Sequence, residues 1–151
     1  MALRDKILVN KDEAIQKKYE DLSKDTLDYP LKPFRYDRDV FLAAAAIACS
    51  EGKWDPLKPG EGKDKFMWST LLNDDLALPA LQALALHHSG KPEVLLDDDR
   101  VAEIAEGYAN AGIKLLFDRL TGKDVVDELK EASMLLQELL EAVKETTQPT
   151  E

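Results

Sequence analysis

Apolar side chains recur every three to four positions along most of this chain, which is the spacing of one buried face of an α-helix. The pattern predicts five helices, over residues 10–24, 37–52, 75–89, 100–122 and 125–144. Strand-like alternation of useful length is missing from the sequence, so we expect an all-α fold.

The second of these helices is apolar on every face. Its central run, residues 40–49, contains five alanines and no charged residue. A helix without a polar side is normally buried in the middle of a domain, and alanine lets neighbouring helices approach closely. We therefore predict a compact bundle of four to five helices around a buried, Ala-rich central helix. The chain is expected to form one domain, residues 1–151, with residues 146–151 as a frayed tail.

Capping residues mark the predicted helix ends. Asn10 and Asp37 are expected to cap the first and second helices, and the acidic triplet at residues 97–99 is expected to cap the fourth. Gly52 and Gly90 stand where the second and third helices should end, a position that favours a left-handed glycine.

Proline and glycine define the connections between the helices. Pro30 and Pro33 exclude regular helix from the connector at residues 27–34. Residues 53–65 are rich in turn formers and predict a loop. The apolar run at residues 66–68 fits either a brief extended stretch or the opening of a helix, and the sequence leaves both open.

The fourth helix carries two internal glycines and an asparagine. Gly107 and Gly112 each cost about 1 kcal/mol relative to alanine, and they indicate close helix packing, a bend or the close approach of a ligand. Asn110 is unfavourable inside a helix unless it is hydrogen-bonded, so it either caps a neighbouring backbone or touches a partner. Tyr108 and Gly112 lie one turn apart and share a face.

Composition and charge narrow the class of protein. The net charge of −10 argues against a general nucleic-acid-binding surface, because phosphate contacts need clustered Lys and Arg. Cys49 is the only cysteine, so we interpret it as a buried, inert thiol and exclude a thiolate metal cluster. No segment approaches the ~20 apolar residues of a membrane span, and the N-terminus lacks the apolar stretch of a signal peptide. These features predict a cytoplasmic protein with no membrane contact.

Motifs that carry catalysis are missing. His87 and His88 are adjacent, so on a helix they face about 100° apart and cannot grip one metal ion. We interpret them as cations at a helix C-terminus. Lys63 is followed by Asp64, so its glycine-rich loop is not a phosphate-binding P-loop. We expect no enzyme activity, no metal and no cofactor.

A local basic and aromatic patch is the one feature that could touch nucleic acid directly, since aromatic rings beside lysines suit single-strand stacking. Two of its members flank the start of the second helix, where an anion could bind or where they could form a surface ion-pair patch. The candidate contact residues are Arg35, Arg38, Lys53, Trp54, Lys58, Lys63, Lys65 and Trp68.

Two further segments are distinctive. One is Arg-Asp-Val-Phe-Leu-Ala-Ala-Ala at residues 38–45, followed by Asp-Pro-Leu at residues 55–57. The other, at residues 104–116, contains Tyr108, Asn110 and Gly112 in a Tyr-Ala-Asn-X-Gly-Ile core. With this spacing the chain resembles, over residues 36–120, the small DNA phosphorothioation-associated (Dnd system-associated) proteins.

This resemblance implies a setting in bacterial DNA sulfur modification and the linked restriction of invading DNA, and it implies no catalytic residues. Our first hypothesis is a non-catalytic adaptor or accessory protein that binds other subunits of such a defence complex. The alternative is direct DNA binding through the patch at residues 35–68. A DNA mimic, suggested by the negative charge, and an unrecognised enzyme are the remaining competitors. The sequence leaves the oligomeric state open.

Overall fold

A computed structural model describes residues 5–23, 34–72 and 75–147. Helices dominate these ranges, but a two-stranded antiparallel sheet accompanies them, so the expectation of a purely all-α fold is wrong. Six α-helices occur in the described ranges, and a 3₁₀ helix, Pro92–Leu96, precedes the fifth. In chain order the elements are β1 (Lys6–Asn10), α1 (Glu13–Ser23), α2 (Asp37–Ser50), β2 (Gly62–Met67), α3 (Trp68–Leu72), α4 (Ala77–Ser89), α5 (Asp98–Thr121) and α6 (Lys123–Thr147).

The sheet was missed because its two strands are short and far apart in sequence. In β1 only Ile7 and Val9 are buried, which is too short an alternation to stand out. β2 contains four charged or glycine positions before Phe66 and falls partly within the predicted loop. Residues 66–68 contain both the extended stretch and the opening of a helix that the sequence left open, because Phe66 and Met67 end β2 and Trp68 begins α3.

A bulge in this sheet turns Lys65 inward. Ile7 pairs with Phe66 and Leu8 pairs with Asp64, so Lys65 is the extra residue on β2. Its side chain is only 14% exposed, and its ammonium lies 3.6 Å from a carboxylate oxygen of Asp37. Through this contact β2 is tied to the start of α2.

Helix α2 supplies much of the core, and one side of it is open. It packs against α1 and α4, and Val40, Phe41 and Ala44 are fully buried along it. Ala46 is exposed and Cys49 is half-buried, so the prediction that protein surrounds this helix on every side is wrong. The alternation of buried and open positions arises because neighbouring elements cover only part of the helix circumference.

The ends of the helices follow the predicted chemistry, with shifts of one or two residues. Asp12, not Asn10, caps α1 by accepting the backbone N–H of Ala14 at 2.9 Å, because Asn10 is still part of β1. Tyr36 stands at the cap position of α2, and Asp37 lies in its first turn. Asp97 accepts the backbone N–H of Arg100 at 3.2 Å, so the acidic triplet does cap α5.

Gly52 and Gly90 have φ angles of 67° and 70°, which confirms the left-handed helix ends. The connector at residues 27–34 lies outside the described residues except for Phe34, and so do the last four residues of the predicted tail.

Contacts group the chain into two compact units, Met1–Phe117 and Asp118–Glu151. In the second unit α6 extends to Thr147 and so includes residues 146 and 147 of the predicted tail. The prediction of a core-facing fifth helix is not met between Met134 and Val143, since the large apolar side chains in that range are 55–64% exposed.

Gly112 sets the distance between α5 and α2. A Cβ atom at this position would overlap the carbonyl group of Ala44 and touch the side chain of Ala48. Neither neighbour can move easily, because Ala44 and Ala48 are fully buried in α2. Of the interpretations given by the sequence, close helix packing applies to this glycine.

We expect Gly112→Ala to destabilise the protein by about 2 kcal/mol, because an added methyl group forces two packed helices apart. For a chain of this size that lowers Tm by roughly 4–8 °C. Thermal denaturation followed by circular dichroism measures the change. Ala46→Ser, at an exposed position of α2, is the control and should change Tm by no more than about 2 °C. Equal Tm values for the two variants would contradict the packing argument.

Candidate functional site

An open groove of about 330 Å³ lies between β1, the loop that precedes β2 and the N-terminal half of α5. We call it the Trp54 groove. Apolar groups and charged groups share its walls, which is the composition of many recognition sites. Its lining includes Leu8, Trp54, Pro56, Leu57 and Pro59 on the apolar side, and Lys58, Arg100, Glu103 and Glu106 on the charged side.

Trp54 is held on two sides. Its indole N–H donates to the backbone carbonyl of Ile104 at 3.0 Å. The ring lies against His88, with the two ring centroids 4.3 Å apart. A tryptophan fixed by a hydrogen bond and a ring contact presents a preformed apolar surface, so little entropy is lost when a ligand settles on it.

Gly107 makes this placement possible. A Cβ atom at position 107 would overlap the indole nitrogen of Trp54, so only glycine lets the ring lie against α5. The carbonyl group of Gly107 also accepts the backbone N–H of Asp55 at 3.1 Å. The loop that follows α2 is therefore attached to α5 directly beside the groove.

Glu106 closes the floor of the groove. It is only 4% exposed, and one carboxylate oxygen accepts the backbone N–H of Leu8 at 2.7 Å. This N–H points away from β2, so Glu106 satisfies a donor on the outer edge of the sheet that would otherwise need water. This bond fixes β1 against α5.

Asn110, one turn after Glu106, also connects α5 to β1. Its amide N–H donates to the carbonyl of Asp55 at 3.0 Å, and its amide oxygen accepts from Asn10 at 3.4 Å. Of the two roles left open by the sequence, the contact with a neighbouring backbone is present. The amide therefore links the end of β1, the loop after α2 and α5.

Behind Trp54, His88 and Tyr108 complete the support. His88 Nδ1 lies 3.2 Å from the Tyr108 hydroxyl oxygen, and their rings meet edge to face. Burial lowers the pKa of His88, and the positive charges of Arg100 and His87 lower it further. Burial also raises the pKa of Tyr108, with Cys49 as a second cause. The predicted position of His87 and His88 in the last turn of a helix is confirmed, although the lowered pKa of His88 works against a cation there.

The rim of the groove is charged but locally balanced. Arg100 lies 3.3 Å from Glu103, one turn further along α5, and both side chains are about half exposed. Lys58 is exposed on the opposite side. Exposed pairs of this kind contribute little to stability, so they are free to exchange partners with an incoming ligand.

The structure places the predicted basic and aromatic patch at both ends of α2. Arg35, Arg38 and Lys65 lie at its N-terminal end, and Lys53 with Trp54 follows its C-terminal end. A 14-residue helix spans about 21 Å, so these two groups cannot contact the same nucleotide. Of the other members, Lys58 lines the Trp54 groove, Lys63 lines a separate groove beside α1, and Trp68 begins α3.

The cationic side chains at the N-terminal end of α2 already contact other groups of the same chain. The guanidinium groups of Arg35 and Arg38 both lie over the ring of Tyr36, at 5.3 and 4.7 Å from its centroid. Arg38 also donates to the carbonyl of Thr70 at 3.3 Å. Asp37 and Asp39 stand in the first turn of this helix and oppose the approach of an anion.

Sequence reasoning found Trp54, Lys58 and the 104–116 segment but missed other parts of the groove. Leu8 is an ordinary apolar residue that reaches the groove only through the sheet, which the sequence did not predict. Glu106 gave a signal, because it stands as an acidic residue in an otherwise apolar stretch of the fourth helix. Buried acidic residues are rare unless they have a partner.

Among the described residues, no group of three or more His, Cys, Asp or Glu is arranged to hold a metal ion. In the same ranges, each helix is either too short or too polar to cross a bilayer.

Comparison with known proteins identifies a family. The model of a family described as DNA sulphur modification system-associated protein 4 matches residues 11–150. This range includes every residue that lines the Trp54 groove except Leu8, and it includes the whole of α6. Neither a curated protein nor a solved structure matches the chain.

We expect His88 to make the stability of the fold depend on pH. In the unfolded chain a histidine has a pKa of about 6.5, and in the folded chain the pKa of His88 is lower. The unfolded chain therefore binds protons more readily, so the stabilisation is complete above about pH 6.5 and is lost as the pH falls through the folded pKa.

Measurement of Tm between about pH 5 and pH 8 tests this dependence. His88→Gln should flatten the acidic limb of the profile, whereas His87→Gln, at the exposed neighbouring position, should flatten it much less, because the charge of His87 is only the smallest cause of the lowered pKa of His88. Equal flattening by both substitutions would contradict the assignment to His88.

Proposed function

Since the chain belongs to the family of DNA sulphur modification system-associated protein 4, we propose that it is a non-catalytic accessory protein of a bacterial DNA-modification and phage-defence system. It acts by binding another protein subunit of that system, and the Trp54 groove receives a segment of the partner. The observation that carries this proposal is the construction of the groove. Its apolar wall is exposed to a ligand and is fixed from behind by the segment of α5 that includes Glu106, Gly107 and Asn110.

Protein binding fits the groove better than catalysis does. Tryptophan and arginine are the residues most often found at the energetic centre of protein interfaces, and Trp54 and Arg100 both line this groove. Glu106 and His88, which lie near Trp54, already make structural bonds, Glu106 to the backbone of Leu8 and His88 to Tyr108. A general base needs a free acceptor within reach of a substrate, which these bonds work against.

The net charge of −10 supports a basic partner. A negative field accelerates the encounter with a positively charged surface and weakens as salt screens it. Association should therefore be faster at low salt, while the apolar wall of the groove determines how long the complex lasts.

Leu57→Glu should weaken binding of the partner at least tenfold, because it places a charge on the apolar wall; a tenfold change corresponds to about 1.4 kcal/mol. Leu57 is half-buried at the edge of the groove, so the fold tolerates a polar residue there. The measurement is co-purification, from the native host, of the tagged full chain with the other proteins of the DNA sulphur modification system. Leu96→Glu, in which the replaced leucine is 89% exposed outside the groove, is the matched control.

Loss of the partner with Leu57→Glu but not with Leu96→Glu supports the groove. Equal recovery of the partner with both variants would reject the groove and leave a different surface as the binding site. Failure of the wild-type chain to retain any of these proteins at low salt would reject the accessory function itself.

The alternative function, direct DNA binding through residues 35–68, has less support. Its cations are divided between the two ends of α2, and Lys65 and Arg38 are engaged with Asp37 and Asp39. Binding to phosphates needs several cations on one surface, because each contributes the release of a counterion.

In a gel-shift assay we expect no retardation of single- or double-stranded DNA, with or without phosphorothioate linkages, at about 50 mM salt. A shift that Lys53→Glu and Lys58→Glu abolish together would establish the alternative instead.

A further inference from the structure

Helix α6 presents a wide apolar face that the groove does not explain. From Met134 to Val143 the large apolar side chains are each more than half exposed. A long amphipathic helix normally gains its stability by packing this face against another element. Exposure of so many large apolar side chains on one helix is the mark of an interaction surface.

The apolar residues of α6 follow a seven-residue repeat. In residues 131–144, positions a and d of the repeat hold Ala132, Leu136, Leu139 and Val143. Positions e and g, which flank that seam, hold Ser133, Leu135, Leu140 and Ala142. The seam and both flanks are therefore free of charge, which is typical of helices packed into a bundle.

All charged residues in this range lie on the opposite face. They occupy positions b, c and f of the repeat, where they point away from a partner helix: Glu131, Glu138, Glu141 and Lys144. A helix that selects a basic partner helix usually carries carboxylates at positions e and g. Between residues 131 and 144 those positions hold no carboxylate. The same arrangement allows two negatively charged copies to meet without placing like charges in contact.

The repeat is also self-complementary in size when two copies run antiparallel. With the two-fold axis between residues 137 and 138, Leu136 faces Leu139 of the other copy, and Ala132 faces Val143. On the flanks, Ser133 then faces Leu140, and Leu135 faces Ala142. Each small side chain meets a larger one, which is how two surfaces fill the space between helices. Parallel copies would instead place Ala132 against Ala132.

We propose that the protein forms a dimer through the a, d, e and g positions of α6, with the α6 helices of the two copies packed antiparallel. This surface is distinct from the Trp54 groove. A dimer would present two such grooves to the partner proteins of the system, and two linked sites can bind more tightly than either does alone.

Light scattering after size-exclusion chromatography tests the stoichiometry of the full chain. At about 0.15 M salt, where exposed charges are screened beyond roughly 8 Å, the wild type should have twice the 16.9 kDa mass of one chain. Leu136→Glu should give a single chain by placing a charge in the seam. Met134→Glu is the matched control, because Met134 is equally exposed but lies at position f, outside the seam.

The Tm of the first unit should be the same for both variants, because neither substitution lies in that unit. A wild type that remains a single chain up to about 1 mM, where association is worth only about 4 kcal/mol, overturns the proposal. A dimer that survives Leu136→Glu also overturns it, and so does a tetramer.

Cysteine pairing tests the direction of the helices in a Cys49→Ala background. Ala132→Cys and Val143→Cys should each fail to form a disulfide alone and should form one when the two proteins are mixed and oxidised. A disulfide formed by either variant alone would show parallel helices and overturn the antiparallel arrangement. Because binding to partner proteins is not measured here, failure of this proposal leaves the accessory function untouched, and the reverse also holds.

Discussion

The backbone contact between α5 and its neighbours is the constraint on which the first unit depends. Gly112 allows α5 to touch the Ala44 carbonyl, and Gly107 allows Trp54 to lie against the same helix. Two glycines within one helix reduce its intrinsic stability by about 2 kcal/mol. That loss is offset by the dense packing of α2 against α5 and by the bonds that the loop makes to α5.

Polar bonds along α5 extend this constraint to the groove. Glu106 fixes the outer edge of β1, and Asn110 fixes the loop at Asp55 and the end of β1. The apolar wall of the groove therefore rests on elements that are already tied together, so binding needs little rearrangement. A surface of this kind supports the proposed accessory function, which depends on recognition. In the second unit α6 exposes its apolar side chains instead of burying them, so the two units offer surfaces of different character.

Sequence periodicity determined most of the helical part of the fold. The extents of α2 and α5, the left-handed ends at Gly52 and Gly90, and the cap at Asp97 follow from local propensity, which neighbouring residues decide among themselves. The resemblance carried by residues 104–116 also pointed to the family that matches residues 11–150. Local chemistry is sufficient for such features because their hydrogen bonds close within a few residues.

Tertiary structure decided everything that joins distant parts of the chain. The pairing of β1 with β2 joins residues that are more than fifty positions apart, and the sequence pattern of neither strand identifies the other as its partner. The groove depends on that pairing, because Leu8 reaches Glu106 only when β1 is in place. The sequence by itself therefore determined most of the helical segments, and it singled out the two glycines of α5 without deciding between their possible roles. Which side chains meet was decided only by folding, since burial and long-range hydrogen bonds belong to the packed molecule and not to any one segment.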